Sequence, residues 1–481
     1  MKPESVGLCG QSFTLRTATA AAQMTKNWYP SVVDDPNEKE RIVLNPCPGL
    51  SVFSTIGSGP YRGQIYALDS RLYVVSLDRV YAITTAGVIT DFGAISNSNG
   101  NQPVSMTASD TQLMIIADGL GYYIQAGVLT QIVDVDFPAS VLVGLYSDGY
   151  FIAITARRIY TSALNDVTSW DALDFNVVQA STNDLVTGLV VQRRLVVLGT
   201  EIGQIFDNTG NTDFPYEADP ASILAYGCAA RFGAGSIPGQ AAYVATDSDG
   251  NGLIVDLAGR KVSTDAVDFA LQEYSTLSDA VVCAFQLDGH HFVQFTFPSA
   301  NATWRFDVST GFWHQAEYWN TDTGQWNAHL GLFHTFAFGR HLMGSRVGAS
   351  LFELSLTVYT DDGAPIRRLR RSPHVRVGHQ RVFYNAMRMI MDVGVGLDVA
   401  SGTAGYDPQL VLRYSDNGGK TGLDQDDIKD QISIGKIGEF WIQPAFNRLG
   451  SAYDRIFEIE GSDPVPYRIA DVLVEYEVGT S

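Results

Sequence analysis

The sequence predicts an all-β protein whose main body is a β-propeller of about seven blades, with six blades or a split closing blade as the alternatives. Between Tyr66 and about Leu356, alternating apolar and polar stretches end in Gly, Asp or Asn turns. A second strand rich in Val, Ile, Tyr or Phe follows each turn, first in Gln64–Thr84. Consecutive apolar anchors of these second strands are 41, 38, 44, 48, 49 and 50 residues apart: Leu72, Leu113, Phe151, Leu195, Tyr243, Phe292 and Leu342. Repeats of roughly 40–50 residues with four short strands are typical of propeller blades.

The composition is that of a folded chain with more than one domain. Of its 481 residues, 45% are hydrophobic and 17% are charged, which gives no compositional case for disorder. A chain of this length exceeds what one core usually holds, so two to three domains are expected. A propeller of roughly 300 residues leaves room for an N-terminal segment and a C-terminal domain.

Residues 1–60 are expected to form an extended N-terminal arm that precedes the propeller at 61–358. Four prolines between positions 30 and 48 exclude a continuous helix or a central strand there. The arm is expected to pack onto another surface through its aromatic and apolar residues, which include Trp28 and Tyr29.

After the propeller, residues 359–382 form a basic connector and residues 383–481 a C-terminal all-β domain. Strand patterns at 383–394, 409–414, 455–459 and 468–478 predict a small domain that resembles a β-sandwich. Helix is scarce throughout, and residues 424–432 fit either a short helix or a surface loop.

The formal net charge of −20, from 52 acidic and 32 basic residues, argues against nucleic-acid wrapping as a primary task, because phosphates are repelled. The same charge suits a wall past which a polyanion slides without sticking, and it equally suits ordinary solubility.

The four cysteines, Cys9, Cys47, Cys228 and Cys283, lie far apart without metal-type spacing. They are expected to be small buried hydrophobes in a protein made in a reducing cytoplasm. The first residues lack a signal pattern and no apolar run reaches 18 residues, so neither Sec-type secretion nor membrane spanning is expected.

Three local motifs favour structure over chemistry. Tyr414–Thr421 resembles the Asp-box turn of sialidases, with Asn417 in the place of the Asp, and such a turn is a structural device. Asp247–Gly252 alternates oxygen ligands as calcium loops do, but Ala258 occupies the place of the bidentate Glu, so a polar hairpin tip is favoured. Trp304–Trp313 is similar to a kelch-type blade phrase and supports the propeller.

No enzymatic activity is expected. The eight histidines do not fall into metal spacing, and His290 and His291 point to opposite faces of a strand. The sequence shows no Ser-His-Asp arrangement, no phosphate-binding Gly loop and no paired carboxylates. One aromatic cluster could stack on sugars, although filling space between blades is favoured: Phe312, Trp313, Tyr318, Trp319 and Trp326.

The run Arg367, Arg368, Arg370 and Arg371 is the strongest charge anomaly of the chain. Against an acidic background it fits a docking stripe for an acidic partner surface or for phosphate. It fits equally a solvated connector, or a stripe that pairs internally with carboxylates. The docking hypothesis makes these arginines, with Trp28 and Tyr29, candidate partner-binding residues.

Both ends of the chain carry a family resemblance. Asn27–Tyr29 and Leu44–Leu50 precede the blades, and an all-β tail with Arg413–Gly419 and Arg448–Gly450 follows them. In this arrangement the chain resembles the tail hub proteins of short-tailed bacteriophages, also called packaged-DNA stabilisation proteins.

The resemblance implies a homo-hexameric ring in the virion tail, assembled in the host cytoplasm below the portal and its adaptor. It implies partners in the portal/adaptor (head-to-tail) protein, in tail fibre or tailspike proteins, and in a needle or plug protein. Packaged double-stranded DNA would pass through the ring without sequence-specific binding, and no membrane contact is implied. The arm and the C-terminal domain are expected to supply the ring interface. The family carries over no catalytic residue, metal or cofactor.

Two other functions remain open from the sequence alone. The Asp-box-like turn and the aromatic cluster suggest a carbohydrate-binding, sialidase-like propeller, although few arginines are spread over the blades. The third alternative is a protein-interaction scaffold of cellular origin.

Overall fold

The computed structural model describes residues 3–5, 7–14, 22–33, 41–178, 183–211, 214–237 and 239–479. Its regular structure is almost entirely β. The N-terminal part contributes six strands: β1 (Pro3–Ser5), β2 (Phe13–Thr14), β3 (Ala22–Lys26), β4 (Trp28–Val33), β5 (Arg41–Pro46) and β6 (Gly49–Thr55). Strands β1, β3, β5 and β6 each pair with a strand from the second half of the chain.

Four four-stranded antiparallel blades follow in sequence. Blade one comprises β7 (Tyr61–Ala67), β8 (Arg71–Ser76), β9 (Arg79–Ile83) and β10 (Ile89–Ala94). Blade two comprises β11 (Ser105–Ala108), β12 (Gln112–Ala117), β13 (Leu120–Gln125) and β14 (Val128–Gln131). Blade three comprises β15 (Val143–Ser147), β16 (Tyr150–Ile154), β17 (Ile159–Ala163) and β18 (Asp166–Asn176). Blade four comprises β19 (Leu185–Val191), β20 (Arg194–Gly199), β21 (Gly203–Asn208) and β22 (Tyr216–Leu224).

Three further blades complete the ring. Blade five has three strands, β23 (Ala234–Ile237), β24 (Gln240–Thr246) and β25 (Gly252–Asp256), followed by helix α1 (Asp265–Glu273). Blade six comprises β26 (Val281–Leu287), β27 (His290–Phe297), β28 (Ala302–Asp307) and β29 (Phe312–Gln315), and a hairpin follows it: β30 (Glu317–Asn320) and β31 (Gln325–Ala328). Blade seven contains β32 (Gly331–Ala337), β33 (Arg340–Ser345) and β34 (Ser350–Ser355).

The seven sheets form a closed circle. The first strand of each blade contacts the first strand of the next, and β32 contacts β7. The fourth strand of blade seven is β6, which pairs antiparallel with β34 from Gly49–Ser355 to Thr55–Ser350. The ring is therefore a seven-bladed propeller with a split closing blade, and the predicted all-β propeller fold is confirmed.

The repeat anchors occupy equivalent places in the blades. All seven lie in the second strand of their blade and are at most 2% exposed. Glycine stands in the inner strands where neighbouring blades approach most closely: a Cβ on Gly63 would lie 2.7 Å from Val104 Cγ2, and one on Gly235 2.6 Å from Val282 Cγ1.

Helix α1 takes the side of blade five where a fourth strand would otherwise lie. Its buried residues, Ala266, Val267 and Leu271, share one face, and the helix packs against β25. Asp265 and Asp268 lie in its first turn, where negative charge complements the helix dipole.

The C-terminal domain has two β layers. Its own strands follow the short pair β35 (Thr360–Asp361) and β36 (Ala364–Pro365), and they are β37 (Arg368–Arg371), β38 (Val382–Met391), β39 (Gln409–Ser415), β40 (Asp430–Ser433), β41 (Ala445–Ala452), β42 (Ile456–Gly461) and β43 (Ile469–Val478). One layer has the order β4-β5-β43-β38-β41, with β1 on β43, and the other β2-β3-β37-β42-β39-β40. Apolar residues of both layers form one core, so the domain is a sandwich that contains strands from both ends of the chain.

Two smaller expectations can be compared with the fold. Residues 424–429 form turns and irregular backbone before β40, which corresponds to the surface-loop alternative. No helix in the described ranges is long and apolar enough to cross a membrane.

Candidate functional site

Trp28 and Tyr29 link the propeller to the sandwich from adjacent positions of β4. Successive side chains of a strand point to opposite faces. Trp28 is fully buried in the sandwich core and its Nε1 donates to Tyr467 O at 2.7 Å. Tyr29 turns the other way, and its ring meets Phe292 of blade six edge-on at 5.5 Å. The aromatic pair thus joins two hydrophobic cores.

Asn27, just before this pair, is the polar centre of the same junction. Its φ of 56° lies in the left-handed region, which Asn tolerates better than most residues. Its Nδ2 donates to Glu317 O and to Arg367 O, both at 2.7 Å, and its Oδ1 accepts from Glu317 N at 2.9 Å. Its backbone N–H donates to Gln315 O at 2.8 Å. One residue, through its side chain and its backbone N–H, therefore holds blade six, hairpin β30–β31 and the segment before β37 together.

Two cations enclose the aromatic hairpin β30–β31. Lys26 forms a buried ion pair with Glu317, and its Nζ lies 4.7 Å from the centroid of the Trp326 ring. Arg367 stacks 4.1 Å from the Trp319 centroid, while its Nη2 donates to Glu460 at 2.7 Å. Such cation–π contacts contribute about 0.5–2 kcal/mol each. These tryptophans therefore already have internal partners at the junction.

Strands β37 and β39 flank β42, and each places an arginine against its carboxylates. Arg371 lies opposite Glu458 and donates to its carboxylate at 2.9 Å, and Arg413 donates to Glu460 at 2.7 Å. Burial raises the pKa of Glu458, although Arg371 and Arg413 both act to lower it.

Arg368 is fully buried beside a buried carboxyl group. Its Nη1 donates to Ile366 O at 3.2 Å, and its guanidinium lies between the rings of Tyr359 and Tyr467 at 5.9 and 5.8 Å. Burial raises the pKa of Asp361 to about 7 even though Arg368 and Arg305 oppose the shift.

Arg370, also fully buried, binds the N-terminal segment through five acceptors rather than through a carboxylate. Its Nη1 donates to Gln11 O at 3.1 Å, to Met24 O at 3.4 Å and to Thr25 Oγ1 at 2.8 Å. Nε donates to Leu8 O, and Nη2 donates to the side chain of Gln23. Burial lowers the pKa of Arg370 to about 10.

The basic run is consequently not an exposed stripe on this chain. Side-chain exposure is 9% for Arg367 and 20% for Arg371, and Arg368 and Arg370 have none. Internal pairing with carboxylates describes Arg367 and Arg371, whereas the buried Arg368 and Arg370 donate to uncharged oxygens. Contact of these residues with a partner stays a prediction.

A Ser-His-Asp arrangement exists, contrary to the expectation from sequence. His290 Nδ1 lies 2.6 Å from Asp307 Oδ2, and Ser31 Oγ lies 3.5 Å from His290 Nε2. The three residues come from β27, β28 and β4, so no local spacing could reveal them. The hydrogen bond to Asp307 raises the pKa of His290. Burial acts to raise the pKa of Asp307, but its hydrogen bonds with His290 and Thr310 bring it below its ordinary value.

These contacts connect β4 to blade six, because Ser31 lies in β4 and the His290–Asp307 pair lies in blade six. Ser31 lies within an extended strand, opposite Val43. A catalytic serine also needs donors aimed at a developing oxyanion. His290 and Asp307 form the histidine–aspartate pair that a triad would contain. Ser31 makes only a long contact of 3.5 Å with that pair.

The Asp-box-like turn and the Asp247–Gly252 loop use their side-chain oxygens to stabilise their own turns. Asn417 Oδ1 accepts from the backbone N–H groups of Lys420 and Thr421, both at 3.1 Å, as an Asp-box side chain would, but the turn lies in the sandwich and not in a blade. Asp247 Oδ1 accepts from the N–H groups of Asp249 and Asn251 at its own hairpin tip. Among the residues whose placement is described, no group of three or more His, Cys, Asp or Glu side chains could hold a metal ion.

Several junction residues were not predicted as site residues from the sequence: Lys26, Asn27, Glu317, Arg413, Glu458 and Glu460. The usable signal was the alternation of Glu458 and Glu460 in an otherwise apolar strand, which places two carboxylates on one face of that strand. Arg371 lies opposite Glu458, whereas Arg368 and Arg370 lie opposite Gly461 and Ile459.

Comparison with known proteins gives one family and two distant folds. Residues 16–359 match the family described as "Bacteriophage P22 Gp10, beta-propeller". No curated protein matches the chain. The extracellular domain of the putative one-component system BT4673 from B. thetaiotaomicron aligns at 10% identity and a TM-score of 0.40, over 79% of this chain and 47% of that one. PorZ of the Porphyromonas gingivalis type-IX secretion system aligns at 12% identity and a TM-score of 0.38, over 69% of this chain and 44% of that one.

The chain spans less than half of each of those two structures, and similarity at that level carries no functional argument. The family match is of another kind, because it begins in the N-terminal segment, includes all seven blades and ends just beyond blade seven. The chain therefore belongs to the bacteriophage P22 Gp10 β-propeller family, a family of phage tail and DNA-stabilisation proteins.

Proposed function

We propose that this phage structural protein is a tail hub, or nozzle, that joins the portal–adaptor assembly to the distal tail. In this role it forms a homo-hexameric ring, retains packaged DNA and extends the channel through which the DNA is ejected. The observation that carries the proposal is the family match over residues 16–359. The function is mechanical and electrostatic, without catalysis and without a cofactor.

The charge of the chain supports a passage for DNA. Each copy has a formal net charge of −20, so six copies bring 6 × −20 = −120 charges around the duplex. Like charge discourages adhesion of the phosphate backbone, while salt limits the range of the repulsion to about 10 Å. Such a wall lets DNA slide.

The junction supports a part that transmits force. A hub has to hold its propeller and its C-terminal domain in one orientation while it contacts partners above and below. The Asn27 bonds, the two hydrophobic anchors Trp28 and Tyr29, and the buried arginines do this within one chain. In the proposal these residues orient the docking surfaces, whereas the portal–adaptor protein, the fibre or tailspike protein and the needle or plug protein contact the exposed faces.

The test combines the purified full-length chain with the portal–adaptor complex and measures mass and particle shape. We expect a ring of six copies on the adaptor. In a second arm, particles assembled without this protein should lose nuclease-protected DNA, and adding the chain back should restore retention. A chain that stays monomeric with the adaptor present, or particles that retain DNA equally without it, would contradict the proposal.

A further inference from the structure

A fixed loop of the sandwich holds apolar side chains out into solvent. Residues 435–444 connect β40 to β41, and they expose Ile437 by 61%, Phe440 by 67% and Trp441 by 94%. The backbone is tied down: Gly438 N–H donates to Gly394 O at 3.2 Å and Lys436 N–H donates to Glu439 Oε2 at 2.9 Å. Contiguous exposed apolar groups on a constrained loop mark an interaction site. We call Ile437, Phe440 and Trp441 the apolar tip.

A recess lies between blades five and six, beside the segment that follows β25. Its volume is about 210 Å³. The lining is apolar apart from one charged pair, Asp256 and Arg260: Ala241, Ala242, Val262, Val293, Phe306 and Val308. An engineered protein cavity of about 150 Å³ accepts benzene, so this recess has room for an indole ring.

The recess takes a side chain rather than a strand. The outer edge of β25 is already satisfied, since Val262 N–H donates to Ile254 O at 2.9 Å and Asp256 N–H donates to Arg260 O at 3.0 Å. A strand added from another chain would find no free backbone groups at these positions. The apolar walls remain available to an inserted ring.

Both surfaces are locally neutral on a strongly acidic chain. The tip loop carries Lys436 and Glu439, and the recess carries Asp256 and Arg260. Two copies with −20 charge each repel over most of their surfaces, so contact is least costly where charges balance. The pairs also allow Lys436 to face Asp256 while Glu439 faces Arg260.

We propose that Trp441 of one copy inserts into the recess beside blade five of the next copy. Tip and recess are different surfaces, so the contact is heterologous and repeats head to tail, which closes into a ring when the rotation permits. The inference rests on the ring of the proposed function and names the contact that builds it. Trp441 is then the central aromatic anchor of the interface.

The direct test uses two full-length variants that keep Trp441, Phe440→Cys and Val308→Cys, with the portal–adaptor complex present. Under mild oxidation their mixture should give a disulfide-linked dimer that joins positions 440 and 308, and each variant alone should give none. The native cysteines are buried or half-buried, and oxidised wild-type chain is the control. A dimer from Phe440→Cys alone, or no dimer in a mixture that assembles, would overturn the inference.

A second measurement separates this contact from the ring itself. Trp441→Ala should weaken ring formation at least about 30-fold, the factor for loss of an aromatic hot spot. Leu173→Ala, at a 78% exposed position of blade three, should leave it unchanged. Rings that form normally with Trp441→Ala refute the tip contact and leave the proposed function standing. A wild-type chain that forms no ring with the adaptor refutes both.

Discussion

Arg370 offers the sharpest test of the junction, because one buried side chain holds the N-terminal segment. Its guanidinium donates to Leu8 O and Gln11 O, to Thr25 Oγ1 and to the Gln23 side chain. Arg370→Met fills a similar volume and offers no donor. The variant therefore removes the hydrogen bonds while keeping most of the packing.

The expected loss of stability in Arg370→Met follows from the carbonyl groups that no longer receive a hydrogen bond. The carbonyl groups of Leu8 and Gln11 lose their Arg370 donor in the interior, at roughly 1–3 kcal/mol each. Relief from burying a cation without a carboxylate partner offsets part of this cost, as the lowered pKa of Arg370 indicates. A net loss of about 3 kcal/mol lowers amide-exchange protection about 100-fold where the segment opens.

Hydrogen exchange read by mass spectrometry measures this effect by region. Residues 7–14 and 22–26 should lose protection in Arg370→Met, while blades one to four keep theirs. Arg388→Met is the matched control in the same domain, because Arg388 and its partner Glu475 form an exposed ion pair, which solvent screens. Wild-type protection in Arg370→Met, or the same loss in the control, would refute the reasoning.

Three further predictions concern single contacts. The raised pKa of His290 means that its pair with Asp307 contributes fully below the unfolded-state value of about 6.5 and that this contribution is lost as pH rises through the folded-state value. The urea midpoint should therefore fall more over that window in wild type than in His290→Gln, and equal falls would contradict this. Gly235→Ala should lower the free energy of unfolding by about 1–3 kcal/mol in urea titrations, since its Cβ would lie 2.6 Å from Val282 Cγ1; an unchanged midpoint would show that the blades can separate. Asn27→Ala should lower the free energy of unfolding by about 3 kcal/mol, because three hydrogen bonds are lost and Ala tolerates the positive φ poorly. Proteolysis between propeller and sandwich should accelerate in this variant. Resistance equal to that of wild type would show that Asn27 does not hold the junction.

The blades could be predicted from the sequence because their contacts are local. Each hairpin joins neighbouring strands, so the alternation and the turn residues that define a blade lie within about 50 residues. Leu72 and Leu342 could be recognised as equivalent from spacing alone, and both are fully buried in second strands. The split closing blade was visible only as an alternative, because the pairing of β6 with β34 spans the whole propeller.

The junction could not be predicted from the sequence, because its contacts join residues far apart in the chain. The charged side chains of a strand such as β37 can face water, carboxylates or backbone carbonyl groups, and only the neighbouring strands decide which. The neighbouring strand β42 lies almost 90 residues later, where Glu458 pairs with Arg371. Likewise, Ser31, His290 and Asp307 come from three separate strands. Composition identified Arg368 and Arg370 as unusual but could not tell that both are buried.

The chain order around β5 and β6 ties propeller closure to the sandwich. β5 ends at Pro46 in a sandwich layer, and β6 begins at Gly49 as the last strand of blade seven. Only Cys47 and Pro48 separate them, and Cys47 N–H donates to Asn27 O at 3.0 Å. Opening the propeller at its split blade would therefore pull on the Asn27 junction, and loosening the sandwich would load the β6–β34 pairing. The short connection at Cys47 and Pro48 therefore couples the closing blade of the propeller to the sandwich.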